Sequence, residues 1–257
     1  MGKIIALANQ KGGVAKTTSC YNIAAQKASG GSRVLMIDLD PQASLTIAAG
    51  MEPGADELGG MNSCKLFDKK TDPLSCCFEV EAAGMENLYI IPSDIDLAKT
   101  ERNLSVSRNS AVQLRMTTQK LRDHFDFIFI DCPPQLGTLL ENALTAADEV
   151  LIPVKTDYLA YRAIGALMET IEGIQSGDGD RSLNPDLKIG GVIATLHKRT
   201  SSEHKEILSL LENEYDLMGV IGDTVAANRG VLNGRPVVLA EPSSDVAQSY
   251  KAIAEKI

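Results

Sequence analysis

Residues 4–18 read Ile-Ile-Ala-Leu-Ala-Asn-Gln-Lys-Gly-Gly-Val-Ala-Lys-Thr-Thr, and no other stretch constrains the fold so tightly. Five apolar residues predict a strand covered on both faces. Paired glycines then break it, and Lys16-Thr17-Thr18 opens a helix predicted over 17–29. A loop between a buried strand and a helix N-terminus is a phosphate cradle. Its backbone N–H groups converge on the anion, and the helix end adds partial positive charge. Lys16 is expected at the β and γ phosphates as a point charge, and Thr17 at a Mg²⁺ ion. The strict pattern for such a loop, G-x-x-x-x-G-K-[ST], asks for glycine at positions 10 and 15, which here are Gln10 and Ala15. Because alanine disfavours the left-handed region, the backbone at Ala15 is expected to avoid positive φ.

The rest of the chain alternates short apolar runs with longer helical ones. Strands are predicted at 4–8, 33–37, 88–91, 127–130, 149–154, 189–195 and 218–221, and helices at 17–29, 110–124, 138–147, 159–175, 203–215 and 247–257. The strand runs are unbroken rather than alternating, the pattern of strands buried on both faces. A βαβα order of this kind predicts an α/β fold: one doubly wound, mostly parallel sheet with helices on both faces. Residues 50–86, rich in Gly, Pro and Asp, read as an excursion over the sheet edge rather than a linker. The whole chain, 1–257, is expected to be one domain.

Twenty-five basic against 34 acidic residues give a net charge of −9. That argues against nucleic acid wrapped over the whole surface, so any such contact must be local. The five cysteines form no CxxC pair and the three histidines have no metal-ligand spacing. The first apolar segment ends by Ala8, too short for a signal peptide or a membrane span. With free thiols, this predicts a cytoplasmic location.

The sequence Lys11-Gly12-Gly13-Val14-Ala15-Lys16-Thr17-Thr18 resembles the deviant Walker A loop of the ParA/MinD family of P-loop ATPases. The resemblance extends to Asp38-Leu39-Asp40-Pro41-Gln42, to Phe127-Ile128-Phe129-Ile130-Asp131-Cys132-Pro133-Pro134 and to Gly234-Arg235-Pro236-Val237-Val238. Within the family the chain is most similar to the short ParA/Soj proteins, which lack an N-terminal DNA-reading domain. The resemblance implies that residues 11–18 bind ATP and that Lys11 reaches across a homodimer to the partner's ATP. It implies that Asp40 orients the attacking water, that Asp38 lies on the Mg²⁺ side, and that Asp131 holds Mg²⁺ through water. Residues 133–137 look like switch II, with Gly137 as its hinge. Asp157 and the residues after it resemble a dimer-face loop, although an ordinary helix N-cap explains Asp157 equally well.

The same resemblance implies a ParB-like stimulating partner, partitioning of plasmid or chromosomal DNA, and non-specific DNA binding by the ATP dimer, with nucleoid association to match. Candidate DNA contacts are Lys198 and Arg199, with His197 and Lys205 beside them, and Arg229 and Arg235 further on. Around Arg229 the chain takes a shorter path than Soj-like sequences. The alternatives are a positioner of non-DNA cargo and a MinD-like membrane switch. Against the latter, Val246, Tyr250, Ile253 and Ile257 form a stripe suited to packing on a sheet. An iron–sulfur dimer of the nitrogenase-reductase type would need two cysteines facing the dimer axis, and Cys132 is expected to be buried.

Overall fold

Burial on both faces dictates the architecture. In β1 (Lys3–Leu7), Ile4 and Ala6 enter one apolar layer while Ile5 and Leu7 enter the other. Each fully buried Ile or Leu stabilises the fold by roughly 1.5–3 kcal/mol. The same division recurs in β2 (Val34–Asp38) and β5 (Phe127–Asp131). The computed structural model describes residues 1–107, 110–177, 182–223 and 234–257. The remaining strands are β3 (Phe78–Glu79), β4 (Leu88–Ile91), β6 (Glu149–Lys155), β7 (Lys188–His197) and β8 (Leu217–Gly222). They assemble in the order β3-β4-β2-β5-β1-β6-β7-β8. Every pairing is parallel except that of β3 with β4.

All seven predicted strands are present. The eighth, β3, belongs to the 50–86 excursion, which otherwise forms short 3-10 turns at the sheet edge. One face of the sheet is covered by α1 (Lys16–Ser29), α2 (Ser44–Ala48), α9 (Val237–Ala240) and α10 (Asp245–Glu255). The opposite face carries α3 (Leu97–Ser105), α4 (Gln113–Leu121), α5 (Thr138–Ala146), α7 (Ile164–Ser176) and α8 (Ser202–Glu214). The helix predicted at 159–175 is two, α6 (Tyr158–Arg162) and α7, separated at Ala163. In α10, Val246, Tyr250 and Ile253 are buried against the sheet layer, as the stripe predicts. No helix among the described residues is long and apolar enough to cross a membrane.

The strand order turns back on itself at β5-β1-β6, which opens a crevice at the carboxyl ends of the strands. Asp131 pairs with Leu7 in β1 and with Asp38 in β2, so all three lie at one level of that edge.

Candidate active site

The loop after β1 is held from several sides. Asn9 donates through Nδ2 to the Pro153 carbonyl (2.7 Å), and its Oδ1 accepts the Lys11 N–H (2.8 Å). Gly13 takes φ +70°, a turn glycine makes at no steric cost. Thr195 Oγ1 donates to the Val14 carbonyl (3.0 Å), and Val14 is buried beneath the loop. Lys11 is exposed, while its carbonyl accepts Lys16 Nζ (3.3 Å).

Ala15 overturns its sequence expectation. Its backbone lies at φ 61°, ψ 33°, in the left-handed region it was expected to avoid. The tight turn from loop to helix requires that conformation, and the surrounding hydrogen bonds hold alanine in it. As the N-cap of α1, Ala15 offers no side-chain hydrogen bond, and the first turn holds no acidic residue. The open amides at this helix end therefore keep their capacity for an anion.

Gly12, Gly13, Ala15, Lys16, Thr17 and Thr18 line one cavity of about 330 Å³, together with Tyr21, Asp40, Pro134 and Arg235. Lys16 is buried, and desolvation pulls its ammonium below the ordinary lysine range against the opposing charges of Asp131 and Asp40. Thr17 Oγ1 donates to Asp131 Oδ2 at 2.6 Å. Asp131 Oδ1 is buried without a hydrogen-bond partner. Desolvation, followed by the neighbouring Asp38, pushes the Asp131 carboxyl above the usual range. Asp38 is fully buried and is pushed up to about 6, again by desolvation first. Its Oδ2 accepts both the N–H and the hydroxyl of Thr46, and its Oδ1 accepts the Asp40 N–H. Asp38 thus shapes the turn that carries Asp40, whose own Oδ1 accepts the Gln42 N–H.

Asp131 and Asp40 both lie close enough to Lys16 to act on its charge. An orphaned Asp131 oxygen beside the Thr17 hydroxyl fits a divalent cation. Among the described residues no three His, Cys, Asp or Glu side chains converge as a cage. A Mg²⁺ ion here would depend on Thr17, on water held by Asp131 and on substrate phosphates, the mixed set this ion takes in phosphoryl-transfer sites.

Several candidates lie elsewhere than expected. Arg235, a candidate DNA contact, is exposed and also lines the cavity. Its segment is tied to α1 by Tyr21 Oη donating to the Gly234 carbonyl (2.8 Å) and by Asn22 Oδ1 accepting the Val238 N–H (3.1 Å). Lys198 and Arg199 are exposed on the turn after β7, and each has an acidic neighbour, Asp223 at 3.4 Å and Asp245 at 3.8 Å. Lys205 is also exposed. Arg229 lies outside the described residues. Gly137 has extended backbone at φ −133°. A Cβ there would fall 2.6 Å from Glu101 Oε1. Asp157 acts as the N-cap of α6, accepting the Ala160 N–H (2.9 Å) and pairing with Lys155 (2.9 Å). Tyr158 and Leu159 are exposed beside it. Cys132 is buried, as expected. Tyr21, Asn22, Thr46 and Thr195 were missed as supports of the site, because single polar residues within apolar runs carry no motif.

A family model described as "AAA domain" matches residues 2–189. The chain is 36% identical over 260 residues to the sporulation initiation inhibitor protein Soj of Bacillus subtilis, covering 100% of this chain and 98% of that protein. Among solved structures it resembles a putative plasmid partition protein from Borrelia burgdorferi bound to AMPPNP. That match has a TM-score of 0.81 and 26% identity, covering 100% and 98% of the two chains. It also resembles cobyrinic acid a,c-diamide synthase from Mycobacterium smegmatis with bound ATP analog and magnesium. There the TM-score is 0.80 and the identity 31%, with 99% and 93% covered.

Proposed function

The chain belongs to the ParA/Soj-type family of P-loop ATPases, and on that footing we propose that it is a Mg²⁺-dependent ATP hydrolase working as a dimerisation switch in DNA partitioning. The observation that carries this reading is the cavity shared by the uncapped α1 N-terminus, Lys16, the Thr17–Asp131 pair and Asp40. A similar structure holds an ATP analog with magnesium, and the orphaned Asp131 oxygen suits the cation.

Phosphoryl transfer needs positioning and charge stabilisation more than covalent chemistry. The open amides and Lys16 bind the β and γ phosphates. Thr17, with Asp131 through water, would hold Mg²⁺, which would supply positive charge against the phosphates. Asp40 orients a water for in-line attack on the γ phosphorus, and ADP and phosphate leave. Lys11, exposed at the loop, supplies a further positive charge to the ATP of a second copy, so hydrolysis and association are coupled. ATP closes the dimer and hydrolysis opens it. The dimer doubles the surface around Lys198 and Arg199, which allows an acidic protein to bind DNA locally. Each phosphate neutralised adds about 0.9 to the salt slope. A ParB-like partner stimulates the cycle, and the protein works in the cytoplasm on the nucleoid.

The test combines phosphate release with a gel shift on random-sequence duplex DNA, in ATP, ADP and no nucleotide, at two salt concentrations. Release that depends on Mg²⁺ and Lys16, with DNA retained only in ATP, is expected. ATP turnover without DNA binding in any state would move the reading to a non-DNA cargo. No turnover, with or without DNA, would overturn it.

A further inference from the structure

The turn that carries Lys198 and Arg199 is joined to the phosphate cradle by a buried chain of hydrogen bonds that hydrolysis does not use. Thr195 Oγ1 donates to the Val14 carbonyl in the cradle, and the Thr195 carbonyl accepts the Thr156 N–H (3.2 Å). The Thr156 hydroxyl lies 2.7 Å from His204 Nδ1 and 3.3 Å from His197 Nδ1. The Lys198 N–H donates to the same His204 Nδ1 at 3.1 Å. Thr156 and Thr195 are fully buried, and both histidines are buried, with ring centroids 5.9 Å apart.

Donor and acceptor roles follow from the chemistry. A backbone N–H can only donate, so His204 Nδ1 accepts, and the ring is neutral with its proton on Nε2. Thr156 then donates to His204, and its oxygen accepts from His197 Nδ1–H. The other end of the turn is equally constrained. Leu196 holds φ +51°, and the His197 carbonyl accepts the Asp223 N–H (3.0 Å).

We propose that His204 is a positioning residue that holds the Lys198–Arg199 turn and the phosphate cradle as one hydrogen-bonded unit. The proposal rests on the reading that this turn meets DNA. It adds that nucleotide and DNA are linked through the Val14–Thr195–Thr156–His204 chain. The charged and titratable groups around the pair are Lys198 and Arg199 on the turn, and Glu203 and Lys205 on α8. Lys155 on β6, Asp157 and Tyr158 at the start of α6, and Asp223 after β8 complete the set. Burial, and then His204, Arg199 and Lys205, hold His197 below the ordinary histidine range.

The experiment is ¹⁵N NMR on the full chain and on His204→Asn and His204→Ala. Asparagine Oδ1 can accept as Nδ1 does but does not titrate. His204 is expected to carry its proton on Nε2, with Nδ1 accepting the Lys198 N–H. Adding ATP and Mg²⁺ should shift the Lys198 amide in the native chain and in His204→Asn but not in His204→Ala. In ATP, the DNA affinity of His204→Ala should fall about three- to tenfold below that of the native chain, the worth of one hydrogen bond, while His204→Asn keeps it. A proton on Nδ1, a Lys198 amide equally responsive to ATP in His204→Ala, or a DNA affinity in His204→Ala equal to the native chain's would overturn the proposal. If no form binds DNA while the amide couplings hold, the DNA reading fails and the positioning role stands.

Discussion

Replacing Ala15 by glycine should stabilise the protein. Ala15 sits at φ 61°, ψ 33°, as the N-cap of α1, with its methyl partly exposed and no side-chain hydrogen bond to lose. A non-glycine residue in the left-handed region costs roughly 1–2 kcal/mol. Glycine removes that cost but frees the unfolded chain, which returns about 0.4–1 kcal/mol. The net expectation is a gain of about 0.5–1 kcal/mol, or a rise in Tm of roughly 1–4 °C for a chain of this size. Urea unfolding of the nucleotide-free protein, followed by far-UV circular dichroism, measures it directly. The midpoint should rise with an unchanged slope, since neither compactness nor exposed area differs. A variant less stable than the native chain would refute the reasoning, because it would mean that the methyl contributes more in packing than the conformation costs.

Tyr21→Phe should lower stability by about 1–2 kcal/mol, because it strands the Gly234 carbonyl inside the fold. The same urea assay measures the effect, and an unchanged midpoint would mean that the 234–238 segment is held by packing alone. The pH dependence follows from Asp38. Its folded value of about 6 exceeds that of an unfolded aspartate, so the folded state binds more protons at intermediate pH. Stability of the ligand-free, chelator-treated protein should therefore rise as pH falls from neutral towards about 4, by up to about 3 kcal/mol. Asp131 acts in the same direction. Stability that falls steadily over that window would contradict the burial assigned to both carboxylates.

The sheet was legible because apolar runs buried on two faces leave few other arrangements, and the cradle because Lys16-Thr17 follows such a run. What stayed hidden depends on tertiary contact. Nothing in the sequence places Arg235 at the cavity; that depends on Tyr21 and Asn22 fixing its segment against α1. Ala15 reads as a residue that avoids positive φ, yet the turn into α1 requires it. The short β3 has too few residues to announce itself and exists by pairing with β4. Ala163, where one predicted helix becomes two, carries none of the usual breaking signals. The role of Asp38 in shaping the Asp40 turn depends on Thr46, eight residues away across a bend.

The central claim is that ATP, held by this cavity, joins two copies through Lys11. Light scattering on eluting protein tests it most directly, using Asp40→Ala to suppress hydrolysis. The account predicts a mass moving from 27.5 kDa in ADP to twice that in ATP and Mg²⁺, and no such change when Lys11→Ala is added. A mass that is the same in every nucleotide state, or a dimer that forms without Lys11, would contradict it.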